Sequence, residues 1–336
     1  MMPQLNPIEP PMLPRFLTIL EITLPVFMLI GLGKTLELRG MLNEDRRVFI
    51  NNLVFYLALP ALILREVARQ DVQTLCNIPL IMVLILSTLG VVILQVFLAR
   101  WLQLSGPIKA AFIFGTFWAN ITYLGFPLAE NAFGGQGLAL AAVFNAVALP
   151  AYLILAYFFI GRYNGGKQSL WQSLKLVSTN PVLIAALLGV IIALVRTYSQ
   201  GDKGQEDGVY SQAFFRLASS SLGLIGSMGL PLGLLSIGAA LRMSSLKNNW
   251  GLLSLIIAAK LMVLPGLAFL VFWLFFPSVD RASLGVTVLL SGMPSAVASY
   301  VIAVKIGVED SFVCSMLVIS TLMSMLTIPF WLFVVL

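Results

Sequence analysis

The sequence predicts an all-α polytopic membrane protein of ten transmembrane helices, arranged as two inverted five-helix repeats. Three observations carry this expectation. The chain is 59% hydrophobic and 10% charged, with a mean hydropathy of +0.97, whereas soluble domains carry roughly 25% charged residues. Ten apolar runs are each long enough to span a bilayer, which takes about 20 residues. Two of those runs are interrupted by Gly and Pro at matching places in the two halves.

In chain order the runs are 15–37, 48–69, 76–101, 107–133, 137–161, 175–197, 217–242, 251–276, 281–305 and 311–336. Residues 1–14 read as an N-terminal tail, because they are Pro-rich and lack the basic stretch and small-residue cleavage site of a signal peptide. Residues 15–161 form the first repeat, 162–174 a connecting loop and 175–336 the second repeat. The polar stretch from Ser199 to Gln212 falls after the sixth run, so it is a loop inside the second half.

The halves share an order of breakers. Run one has Pro25 with Gly33 eight residues on, and run six has Pro181 with Gly189 at the same offset. Runs two and seven carry Leu59-Pro60 and Leu230-Pro231. Runs five and ten carry Pro150 and Pro329. Five spans per half is odd, so the second half enters the membrane in the opposite sense and the repeats are inverted. Basic residues near span ends set orientation. Twelve follow odd-numbered runs, among them Lys34, Arg46, Arg100 and Lys247, against seven on the other side, including Arg65, Arg69 and Arg196. Both termini are therefore expected on the non-cytoplasmic side of a cell membrane, with Cys76 near the outer face and Cys314 near the inner one.

Several functions lose support. The net charge of +6 and pI near 9.4 come from basic loops between apolar runs, so they signal topology and not nucleic acid. The chain has no histidine, which removes Ser-His catalysis and the commonest metal ligand. Cys76 and Cys314 lack zinc spacing, Gly201-Asp202 lies in a loop, and no phosphate-binding Gly-x-x-x-x-Gly-Lys stretch occurs. No enzyme, metal or cofactor is expected.

The interruptions read Asn120-Ile121-Thr122-Tyr123-Leu124-Gly125-Phe126-Pro127 in run four and Ser291-Gly292-Met293-Pro294-Ser295 in run nine. Lipid cannot satisfy freed backbone groups, so non-helical chain at membrane depth needs protein or a water-filled cavity around it. Paired interruptions of this kind point to the binding site of a secondary transporter. Proline favours the first helical position, so Pro127 and Pro294 are expected to open half-helices whose free N–H groups and positive dipole end suit an anion. Asn120 would add a carboxamide, and Tyr123, Gly125, Met293 and Ser295 complete the set flanking the breaks. Asn145 lies five residues before Pro150 and is a further candidate. Plain kinks and interhelical hydrogen bonds are the structural alternatives at these positions.

Charged residues within spans are candidates for coupling or gating. Lys260 lies nine residues past Gly251, roughly 13 Å along a helix; it attracts an anion, switches a gate or snorkels to the cytoplasmic face. Glu21 and Glu130 could carry a coupling proton.

At the quoted breaks the chain resembles the auxin efflux carrier family. Asn120 to Ala129 resembles its fourth-helix signature, and Phe133-Gly134 the helix end that follows. Met293-Pro294-Ser295-Ala296, Ile306-Gly307-Val308-Glu309-Asp310 and Ser320-Thr321 resemble the C-terminal signature, and Phe55 to Ala61 the second helix. The resemblance implies ten helices in an inverted repeat, a substrate site where broken helices 4 and 9 cross, and a homodimer. Plant members carry charges in the third helix, whereas Ile78 to Ala99 has none, and their large central loop is absent. Auxin is therefore not the expected substrate. The expected function is secondary transport of small organic anions such as mono- or dicarboxylates, with a proton or sodium as candidate coupling ion. An anion channel or uniporter and a membrane receptor-sensor are the alternatives.

Overall fold

A computed structural model describes residues 12–104, 106–164, 178–199, 207–241, 250–296 and 310–336. Those residues are helical apart from short turns and one isolated backbone bridge. Seven described stretches are long and apolar enough to cross a membrane: Leu17–Leu38, Glu44–Ala68, Ile78–Trp101, Ile121–Ala156, Arg216–Ala240, Trp250–Phe275 and Ser315–Val335. Three shorter apolar helices, Ile108–Phe117, Pro181–Thr197 and Arg281–Ser291, accompany them.

The first half contains α1 (Met12–Leu38), α2 (Glu44–Leu53), α3 (Leu59–Ala68), α4 (Val72–Leu75), α5 (Ile78–Trp101), α6 (Gly106–Phe117) and α7 (Phe126–Asn164). The second contains α8 (Pro181–Ser199), α9 (Asp207–Gly226), α10 (Gly229–Ala240), α11 (Trp250–Ala258), α12 (Leu264–Phe275), α13 (Arg281–Ser291) and α14 (Asp310–Val335). Polar side chains set several starts. Asn43, Asn77 and Asp280 each accept the N–H three residues on, which satisfies one of the donors a helix start leaves over. Within α7, Gly134 takes φ 62° and ψ −155°, a conformation glycine adopts without a Cβ penalty. It separates two helices at the place where the fourth run gives way to the fifth.

Three π-turns share one cause. Val54–Ala58, Ile121–Gly125 and Ala259–Val263 are each followed, two residues on, by Pro60, Pro127 or Pro265. A proline inside a helix clashes with the carbonyl four residues earlier and cannot bond to it. Widening the turn relieves the clash, and the N–H before each proline reaches back five residues, as Leu264 does to Ala259. The carbonyl that Pro265 frees, on Leu261, accepts the Trp331 indole N–H at 2.8 Å.

Glycine decides how the first two spans of each half pack. A Cβ on Gly33 would stand 2.1 Å from the Leu235 carbonyl oxygen, and one on Gly238 would stand 1.9 Å from that of Ile30. The backbones of α1 and α10 therefore touch. In the same way a Cβ on Gly189 in α8 would meet Val67 of α3 at 2.8 Å. Basic side chains close both pairs. Lys34, near the end of α1, donates to the Leu241 carbonyl that ends α10 at 2.8 Å. Arg196, near the end of α8, donates to the Arg69 carbonyl that ends α3 at 2.9 Å. Each cation sits where a helix C-terminus carries partial negative charge.

The outer faces are apolar. Leu24, Met28, Ile93, Phe97 and Trp273 are all more than half exposed, and such a surface is stable only against lipid or another apolar surface.

Candidate functional site

Helix α6 ends at Phe117; the Trp118 N–H still bonds back to the Phe114 carbonyl, and the chain then runs non-helical through Ala119 and Asn120. Helix α13 likewise ends at Ser291, ahead of the non-helical stretch from Met293 to Ala296. The two stretches pair as an antiparallel bridge between Ala119 and Ser295. The Asn120 N–H donates to the Pro294 carbonyl at 2.8 Å, and the Ala296 N–H to the Trp118 carbonyl at 3.3 Å. Further donors and acceptors come from neighbours: the Ser295 N–H donates to Ser320 Oγ at 3.2 Å. Non-helical backbone is stable here because each segment supplies partners to the other.

Helix resumes at Ile121, with Asn120 in the N-cap position at φ −79° and ψ 65°. This corrects the expectation that Pro127 opens the half-helix. The Asn120 carbonyl already accepts the Gly125 N–H at 3.1 Å, so coiling starts six residues before the proline, which lies second in α7. The N–H groups without intrahelical partners are then those of the first turn from Ile121. Pro294 opens no helix among the described residues; it lies in the extended stretch, and residues 297–309 fall outside them.

The turn from Asn120 to Tyr123 faces a cleft of about 230 Å³, below the roughly 300–1,000 Å³ typical of drug-sized ligands. Asn145 and Tyr152 of α7, Phe55 beside α3, and Asn180 and Val182 at the start of α8 complete most of its wall. Among the described residues, no charged side chain lines it. Asn120 and Asn145 are each 6% exposed, and among the described residues neither carboxamide forms a hydrogen bond. Asn180 is committed differently: its oxygen accepts the N–H groups of Val182 and Leu183 and caps α8.

The expected site residues thus separate into groups. Asn120, Tyr123 and Asn145 line the cleft, with Tyr123 packed so closely on Gly233 that a Cβ there would lie 2.7 Å from its ring. Gly125, Met293, Pro294 and Ser295 are buried behind it; a Cβ on Gly125 would meet Leu290 at 2.6 Å and Met293 at 3.4 Å. Lys260 is fully buried and does not snorkel; its Nζ donates to the Phe117 carbonyl at 3.1 Å. Glu130 lies elsewhere on α7, partly buried, within electrostatic range of Glu66 and Arg65. Glu21 is exposed on α1 and joins none of these groups.

The sequence reading missed Asn180, Tyr152 and the Arg65–Glu66 pair. Arg65 donates to Glu66 at 2.7 Å and Glu66 is only 7% exposed. A signal existed for two of them: Asn180 directly precedes Pro181, the pattern of a cap before a first-turn proline, and a carboxylate inside an apolar run, as Glu66 is, is a candidate by default.

The sequence profile of a family described as membrane transport protein matches residues 18–332. The chain belongs to that family. It is the auxin efflux carrier family whose motifs the breaks resemble. An "Uncharacterized transporter" of Methanothermobacter thermautotrophicus is 26% identical over 93% of this chain and 96% of its own length. Another of Methanocaldococcus jannaschii is also 26% identical, over 93% and 97%. A "Putative malonate transporter" of Rhizobium meliloti is 24% identical over 91% and 92%. The membrane transport family and its named relatives are transporters and not enzymes, and this chain is a multi-pass membrane protein.

Proposed function

We propose that this chain is a secondary carrier for small organic anions, mono- or dicarboxylates, that works by alternating access with its site at the paired breaks. One observation carries the reading. A helix start and two carboxamides, Asn120 and Asn145, face a small cleft; among the described residues neither carboxamide is hydrogen-bonded and no charged side chain lines the cleft. Orphan N–H groups and the positive end of a helix dipole attract an anion without a lysine, and a carboxamide donates to its oxygens. The relative named as a malonate transporter favours a dicarboxylate.

Ten spans in two inverted repeats, 15–161 and 175–336, belong to the same proposal. The exchange of partners supports it: α1 packs on α10 as α8 packs on α3, each through a glycine and each closed by a basic cap. If the halves are equivalent, spans one and six play one role and spans two and seven another. Gly33 and Gly189 then occupy corresponding places.

Counterflow in proteoliposomes tests the function. Uptake of labelled malonate is expected to saturate and to accelerate when unlabelled malonate is trapped inside, while malonamide, which lacks the charge, does not compete. Uptake that stays linear in concentration and ignores trapped malonate would indicate a channel. Binding without flux would indicate a receptor. Orientation is tested separately in intact cells. Cys76 is exposed and free, so a membrane-impermeant maleimide added outside is expected to label it and to leave Cys314 unlabelled. Labelling of Cys314 alone would reverse the topology and place both termini in the cytoplasm.

A further inference from the structure

The buried lysine at the break has a place that the carrier reading leaves unexplained. Lys260 is 0% exposed, and its ammonium donates to the carbonyl of Phe117, the last residue of α6. Among the described residues it forms no ion pair. Its π-turn packs against α6, α11, α12 and α14. Neither α11 nor α12 carries a charged residue, α6 carries only Lys109, and α14 only Asp310 at its first position. The negative partner of this cation is therefore backbone: the C-terminal end of a helix, whose last carbonyls lack intrahelical partners and which carries about half an elementary negative charge.

Other groups already serve three neighbouring carbonyls. Trp118 N–H donates to Phe114 at 3.2 Å, Ala296 N–H donates to Trp118 at 3.3 Å, and Ser295 Oγ approaches Gly115 at 3.5 Å. Phe117 is left to the ammonium. Unwound carbonyls and half-helix C-termini at a membrane break are the ligands that hold coupling sodium ions in carriers. An ammonium and an alkali cation compete for such oxygens, and a covalent tether makes the ammonium's binding intramolecular.

We infer that the Lys260 ammonium is a built-in replacement for a coupling alkali cation, seated on the carbonyl end of α6, so that this chain carries its anion without sodium or potassium. The inference rests on the carrier reading for its role in transport, but the cation position is testable without any substrate. Removing the side chain should open the position to a free ion. The experiment uses full-length protein purified in detergent, as wild type, Lys260→Ala and Lys260→Ser, melted in sodium, potassium or choline chloride at equal ionic strength.

Wild type is expected to melt at one temperature in all three salts. The variants are expected to melt lower in choline and to recover saturably in sodium or potassium. At an ion concentration ten times its dissociation constant the folding equilibrium shifts roughly ten-fold. The idea fails if wild type gains saturable, alkali-specific stability, or if both variants melt alike in choline and the alkali salts. Failure to recover either variant from alkali-salt buffers as well as choline counts against it too, since the ion should replace the ammonium. Loss of malonate binding in an otherwise conforming protein would overturn the carrier reading and leave this one standing.

Discussion

Gly238→Val is expected to prevent recovery of folded, monodisperse protein. A Cβ at this position would lie 1.9 Å from the Ile30 carbonyl oxygen and 2.9 Å from the Lys34 nitrogen. Both are backbone atoms of α1, so no side-chain rotation relieves the clash. The helices must separate by more than 1 Å to reach ordinary contact, and the reciprocal contact of Gly33 on Leu235 is lost with it. Overpacking costs about 1–3 kcal/mol when side chains can adjust; with rigid backbone on both sides we expect about 3 kcal/mol or more. Gly31→Val on α1, the facing helix, is the control, because nothing lies within 4 Å of its Cβ position. A Gly238→Val protein that elutes and melts as wild type does would disprove the backbone contact between α1 and α10.

Asn120→Ala is expected to lower malonate affinity roughly ten-fold or more while leaving the protein folded. The backbone of Asn120 holds the break together through its N–H to Pro294 and its carbonyl to Gly125, and alanine keeps both. The carboxamide does no structural bonding among the described residues, so its removal should cost less than the about 1 kcal/mol typical of a polar side chain in a membrane. A directed hydrogen bond to a charged ligand contributes about 1.5–3 kcal/mol, and 1.4 kcal/mol is a decade in affinity. Equilibrium binding together with a melting curve separates the two effects. Wild-type affinity in a well-folded Asn120→Ala protein would remove this residue from the site.

The sequence alone exposed the two interruptions, because Gly and Pro act locally: glycine adds backbone freedom, and proline removes a donor and crowds the preceding turn. Asn120 and Asn145 were legible for a similar reason, since a polar side chain in an apolar run must have a purpose. The exact start of the helix was not legible. Proline's preference for the first turn put it at Pro127, yet it lies at Ile121, because a π-turn accommodates the ring within a helix already begun. Whether a turn widens depends on what surrounds it, as Trp331 taking up the Leu261 carbonyl shows.

Composition and hydropathy determined that this chain lives in a membrane, because the solvent selects on average polarity and needs no knowledge of the fold. Motif spacing determined its family, later matched over residues 18–332. Only tertiary structure decided which residues meet. Nothing local links Lys260 to Phe117, 143 positions away, or Ala119 to Ser295. From sequence a buried lysine is equally a gate, an anion trap or a snorkelling side chain. Its meaning comes from the carbonyl it touches, and a long-range contact of that kind is fixed by the packing of whole helices and not by the residues on either side.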